Sequence, residues 1–186
     1  MDVLQNFDRA AAVAAGLIDK IPADGFGAPT PCTDWDVRAV VNHLVAGNLM
    51  ADNAARGAPP PDRNADHLGD SPPAETFART VDEARAAFAA PGVLERVVPT
   101  PLGEQPAAFL VHMRINELLV HSWDLAVATG QPTDFEPELC QGVLGVWRQR
   151  LSGVDRYQVP FDEEQPVPED ATAADRLAAY LGRRMP

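Results

Sequence analysis

Apolar positions recur along this chain at helical rather than strand spacing. Residues 107–129 are the extreme case. Leu110, Val111, Met113, Ile115, Leu118, Leu119, Val120, Trp123, Leu125 and Val127 point in nearly every direction, which predicts a helix buried almost all round. A second segment, DVRAVVNHLVAGNLM from Asp36, carries the apolar row Val37, Val40, Val41 and Leu44 and predicts a helix with one buried face. The run from Ala10 to Ile18 predicts an N-terminal helix. Because Asp2, Asp8 and Arg9 precede it instead of a basic stretch, it reads as a helix and not as a signal peptide.

Eighteen prolines fall between these segments rather than inside them, and 30 alanines against three isoleucines favour helix over strand. The proline-free intervals 1–21, 32–58, 74–90, 107–131, 138–159 and 169–185 are each long enough for a helix. Expected helices therefore cover the N-terminus, 34–56, 73–90, 107–129 and 137–151, with a short terminal helix over 172–182. Thr33 with Asp36 resembles a capping box, and Ser71 before Pro72 fits an N-cap followed by proline at the first helical position. Pro106 and Pro137 sit at expected helix starts, and Gly57, Gly92 and Gly130 at expected stops. Residues 94–105 suit a short hairpin, and 154–161 could extend beside it. The economical architecture is a single all-α domain over 1–186 with four principal helices around one core.

Charge narrows the partners. Twenty-seven acidic residues against 15 basic ones leave a net charge of −12, Lys20 is the sole lysine, and no basic run exists. Neither nucleic acid nor an anionic membrane surface is an expected partner. Two cysteines, Cys32 and Cys140, cannot build a disulfide framework, so a cytoplasmic setting is expected. The apolar stretch 109–127 contains Arg114, Glu117, His121 and Asp124, which excludes an ordinary transmembrane span.

Those four residues hold the candidate chemistry. At about 100° per residue they occupy a strip of roughly 80° on an otherwise apolar helix, and burying such a set demands that its members satisfy one another or bind something. Glu117 and His121 lie one turn apart, and their side chains can reach one metal ion; a neutral imidazole hydrogen-bonded to a carboxylate fits the same spacing. His43 lies in the second helix, with Gly47 one turn later on its face. It suits either a satisfied core histidine or a ligand, and the glycine is expected to leave room near the imidazole for an ion, water or substrate. Two His and one Glu from neighbouring helices form a three-ligand set with one position open, the catalytic zinc pattern. Arg114 could pair with Glu117 or hold a substrate carboxylate, and Asp124 could orient an imidazole; an internal Arg114–Asp124 ion pair is the alternative.

The remaining candidates read as structural. His112 is expected at the surface or core edge, and His67 in solvent. Cys32 sits near a helix start whose dipole could lower its pKa, yet His43 lies too far along the helix for direct contact, so a small half-buried hydrophobe is favoured. Core packing is the default for Trp35, Trp123 and Trp147.

Three stretches, PTPCTDWDVRAVVNHLVAGN (29–48), ELLVHSWDLAVATGQP (117–132) and VPEDATAADRLAAYLGR (167–183), resemble in order and separation the DinB/YfiT-like metal-binding superfamily, and within it the mycothiol-dependent maleylpyruvate isomerase N-terminal-domain group. The resemblance implies an antiparallel four-helix bundle with a divalent metal, usually zinc and with nickel as an alternative, held by His43, Glu117 and His121. Ser122 stands where the group is expected to have glycine before the Trp, which narrows the site. The isomerases have a further C-terminal domain that this chain is expected to lack, so isomerisation of maleylpyruvate is not carried over. The leading expectation is a metal-dependent thiol transferase or isomerase-like enzyme using mycothiol against an electrophile. A metal-dependent hydrolase and a non-catalytic metal-containing bundle that binds a small molecule or partner are the alternatives.

Overall fold

Helix ends fall where the chain supplies a side chain or a bend to terminate them. In the computed structural model, which describes residues 2–100, 103–153, 155–156 and 161–186, the Asp2 carboxylate accepts from the Leu4 N–H and opens α1 (Val3–Ile18). Asp36 accepts from the Ala39 N–H at 2.8 Å and opens α2 (Val37–Arg56), which Gly57 ends in the left-handed conformation at φ 74°. Such a cap is worth about 1 kcal/mol. Helix α3 (Pro73–Phe88) begins on proline, and the hairpin β1 (Val97–Thr100) with β2 (Gly103–Pro106) leads into α4 (Ala107–Ala128). Then follow α5 (Pro137–Arg150) and α6 (Ala173–Tyr180), the latter opened by a full capping box between Thr172 and Asp175. A 3-10 turn spans Ala23–Gly27.

Several expected starts shift. Thr33 does not cap α2, because Asp36 itself is the cap; Thr30 organises the preceding loop instead, donating to the Trp35 carbonyl at 2.8 Å. Pro72 rather than Ser71 holds the N-cap position of α3, one residue later than expected. That helix stops at Phe88, before Gly92, whose φ of 71° serves the following turn. The strand expected over 154–161 falls mainly outside the described residues.

The fold is mostly helical. Helix α4 packs on α1 and α2, α3 packs on the same two, and α6 bridges α4 and α5. Phe7, Leu44, Phe77, Phe88, Leu118 and Trp123 are buried at the centre, each contributing about 1.5–3 kcal/mol of hydrophobic burial. The Trp123 indole N–H donates to Asp175 at 2.7 Å and so fastens α6 to α4. No described helix is long and apolar enough to cross a membrane. The contact between α2 and α4 positions the polar strip of α4 against His43.

Candidate metal centre

Helix geometry alone brings Glu117 and His121 together, since residues four apart stack on one face. The packing of α2 adds His43. Its Nε2 lies 2.8 Å from Glu117 Oε2, and His121 Nε2 lies 3.5 Å from the same oxygen. One ligand atom from each of the three residues lies within 4.8 Å of the others. The Trp35 ring covers both imidazoles, with centroids 4.5 Å from His43 and 5.7 Å from His121.

Behind His121 the network closes. Its Nδ1 is 2.9 Å from Asp124 Oδ2, and Arg183, just beyond α6, donates from Nε to Asp124 Oδ1 at 2.9 Å and from Nη2 to Oδ2 at 3.0 Å. Gly182, at φ 93°, lets the chain beside Arg183 pack on Asp162, whose backbone nitrogen would lie 2.8 Å from a Cβ at residue 182. Arg183 is the residue that sequence reasoning missed. It ends the third family-like stretch, but no spacing argument links residues 124 and 183.

The protonation states follow from burial set against partners. Burial pushes the Glu117 carboxyl up, and hydrogen bonds from His121 and His43 more than reverse this, holding it well below the usual carboxylate range. Burial likewise opposes charge on His121, yet Asp124 and Glu117 raise its pKa to about 9. His43 moves the other way, because desolvation outweighs its bond to Glu117. Asp124 stays low, since His121 and Arg183 overcome its burial.

Arg114 does not join this network. It pairs with neither Glu117 nor Asp124; Nη2 donates to the Leu44 carbonyl and to Asn48 Oδ1, both at 3.1 Å. Burial drops its pKa to about 10, only partly opposed by the charge of Glu117. The guanidinium takes the place a side chain at residue 47 would occupy, for a Cβ there would lie 2.1 Å from Arg114 Nη1, and the pocket expected near the imidazole opens beside it, lined by Gly47 and His43.

Cys32 is closer to the site than its position along the helix suggested. The loop before α2 folds back and brings its sulfur within 4.8 Å of ligand atoms of both His121 and Asp124. Cys32 is half-buried, as the favoured reading of a small hydrophobe has it, and burial raises the thiol pKa, with Arg183 opposing only in part; the helix proper starts five residues later. Ser122 is fully buried, and its hydroxyl lacks a partner among the described residues. His112 is exposed. His67 is half-buried instead of solvated, with Nε2 2.8 Å from the Asp62 carbonyl oxygen. Of the other tryptophans, Trp123 is core, and Trp147 donates to Asn116 at 2.5 Å.

The fold and the cluster define a class, a mostly helical domain in which two packed helices converge two imidazoles and a carboxylate. The chain belongs to the mycothiol maleylpyruvate isomerase N-terminal domain family, whose model matches residues 7–126. Two uncharacterized proteins from two strains of Mycobacterium tuberculosis are each 37% identical to it over 185 residues, covering 98% of this chain and 98% of the relative. The crystal structure of the mycothiol-dependent maleylpyruvate isomerase superposes with a TM-score of 0.63 at 17% identity, over 77% of this chain and 68% of that one. A histidine-to-alanine mutant of that isomerase gives the same score at 15% identity. These structural matches speak to the fold.

Proposed function

We propose that this protein is a metal-dependent, mycothiol-using transferase or isomerase-like enzyme, with a divalent cation, zinc or alternatively nickel, held by His43, Glu117 and His121. The carrying observation is the convergence of these three donors on one another, with Asp124 behind His121. Two imidazoles and a carboxylate are the donor set of a three-ligand catalytic zinc site, and a carboxylate on the far ring nitrogen is the usual support for such a ligand. The donor set therefore fits a metal.

A cation there supplies a Lewis acid that favours the thiolate form of a thiol over the thiol. The chain's own residues prepare for it. Asp124 accepts the Nδ1 proton of His121 and so directs Nε2 toward Glu117, while Arg183 fixes Asp124. Trp35 packs against both rings. We read the ring of contacts among α1, α2, α3 and α4 as the antiparallel four-helix bundle implied by the family resemblance. The family's thiol chemistry and two free cysteines support a cytoplasmic setting.

Elemental analysis of protein purified without an affinity tag tests the reading. Close to one divalent metal per chain is expected, falling sharply in His43→Ala; fully stable metal-free protein would overturn it. In a cobalt-substituted sample, titration with mycothiol is expected to change the visible spectrum as sulfur enters the coordination sphere, and an unchanged spectrum would remove the thiol step.

A further inference from the structure

Beside the donor cluster, a pocket of about 90 Å³ opens between α2 and α4. That is room for several water molecules, and so for a carboxylate and the first carbons attached to it. Two guanidinium groups line the pocket, Arg114 and Arg63, together with the thioether side chains of Met50 and Met113.

Arg114 is the unusual member. It is 3% exposed, its Nε lacks any partner, and its hydrogen bonds among the described residues go to a carbonyl and an amide oxygen, both neutral. A buried cation without a hydrogen-bonded anion is costly, yet the chain makes specific room for it by keeping residue 47 without a Cβ. Glu117, on the same wall, is turned to the imidazoles, with Oε2 2.8 Å from His43. Asp124 is taken by Arg183 and His121. No described carboxylate makes a hydrogen bond or ion pair with either Arg114 or Arg63.

We propose that this pocket is a carboxylate subsite, in which Arg114 from within and Arg63 from the exposed side hold the acid end of a small organic carboxylate whose carbon chain lies against Met50 and Met113. Guanidinium suits the role because its planar fork matches a carboxylate. The subsite adjoins the donor cluster, so a ligand anchored there would present its far end to that cluster. It does not require a metal.

Methionine methyl groups give a local readout. In protein labelled with 13C at the methionine methyls, butyrate is expected to shift Met50 and Met113 saturably. Its affinity should exceed that of butyramide about tenfold, as loss of a charge-assisted bond implies. The preference should hold in metal-loaded and chelator-treated samples alike. Arg114→Gln should weaken butyrate about tenfold and Arg63→Gln about threefold. Absence of a response in the wild-type protein, an equal response to butyramide, or affinities unchanged in both variants would each overturn the proposal. A response confined to the metal-loaded protein would overturn it too, by assigning the carboxylate to the metal. Should Arg114→Gln not fold, Arg63→Gln and the butyramide contrast decide alone. Persistence in metal-free protein would leave the subsite standing even if the metal reading fell.

Discussion

The two halves of the polar strip on α4 treat buried charge in opposite ways. Toward the C-terminal end, Glu117, His121 and Asp124 are joined to His43 and Arg183 in a chain in which every ionised group meets an opposite charge or an imidazole. One turn earlier, Arg114 is as deeply buried, but its hydrogen bonds go only to neutral oxygens and the charge of Glu117 reaches it without a direct bond. One helix can thus bury charge in two ways: in a network of directly bonded opposite charges and imidazoles, and as a cation hydrogen-bonded only to neutral oxygens.

The most damaging way to break this contrast is Asp124→Ala. It strands the Arg183 guanidinium and removes the acceptor of the His121 Nδ1 proton, so urea unfolding should show a loss of about 3–5 kcal/mol, the cost of leaving a buried charge unpartnered. A smaller effect is expected where α6 is fastened. Asp175→Asn weakens the capping box and the bond from Trp123, for about 1 kcal/mol. It should also change the acid limb of stability. Burial raises the Asp175 carboxyl, but Trp123 and the Thr172 backbone hold it below its ordinary value. Its contribution is therefore present above the unfolded value of about 3.9 and is lost as pH falls through the lower folded value. Stability curves of the wild-type protein and Asp175→Asn should thus converge with acidification in that window.

Arg114→Met sharpens the other side. Removing an uncompensated cation offsets the lost bonds to Leu44 and Asn48, so thermal denaturation should place the variant within about 1 kcal/mol of the wild-type protein; a loss comparable to that of Asp124→Ala would show that Arg114 is as fully compensated as the rest of the strip. The smallest effect should come from Gly145→Ala on α5, outside both regions. A Cβ there meets nothing within 4 Å, and a stabilisation of about 0.5–1 kcal/mol is expected, with no change at either half of the strip.

Most of this molecule was legible from periodicity and punctuation. The helices came within a few residues of their expected spans, because prolines and glycines end helices by covalent geometry whatever surrounds them. The caps were less legible. Thr33 and Ser71 were plausible on local grounds, but the loop from Pro29 to Asp36 is organised by Thr30, whose partners no period announces. His43, Glu117 and His121 were found as a set because two of them obey helical spacing. Arg183 was not, since its link to Asp124 depends on the path of the chain after α6. The meaning of Gly47 was only half legible for a related reason: spacing shows that a glycine leaves room, and a pocket does open beside it, but not that the long side chain of Arg114 crosses from α4 to take part of that room.

Trp35 has a further use beyond packing against the cluster. Of the three tryptophans, it is the one whose ring lies over both imidazoles, while Trp123 and Trp147 are engaged with Asp175 and Asn116. An indole packed against imidazoles changes its emission when those rings gain or lose a proton or a bond. The protein thus carries an intrinsic optical reporter at the proposed metal centre, and substituting Trp123 and Trp147 by phenylalanine would isolate its signal.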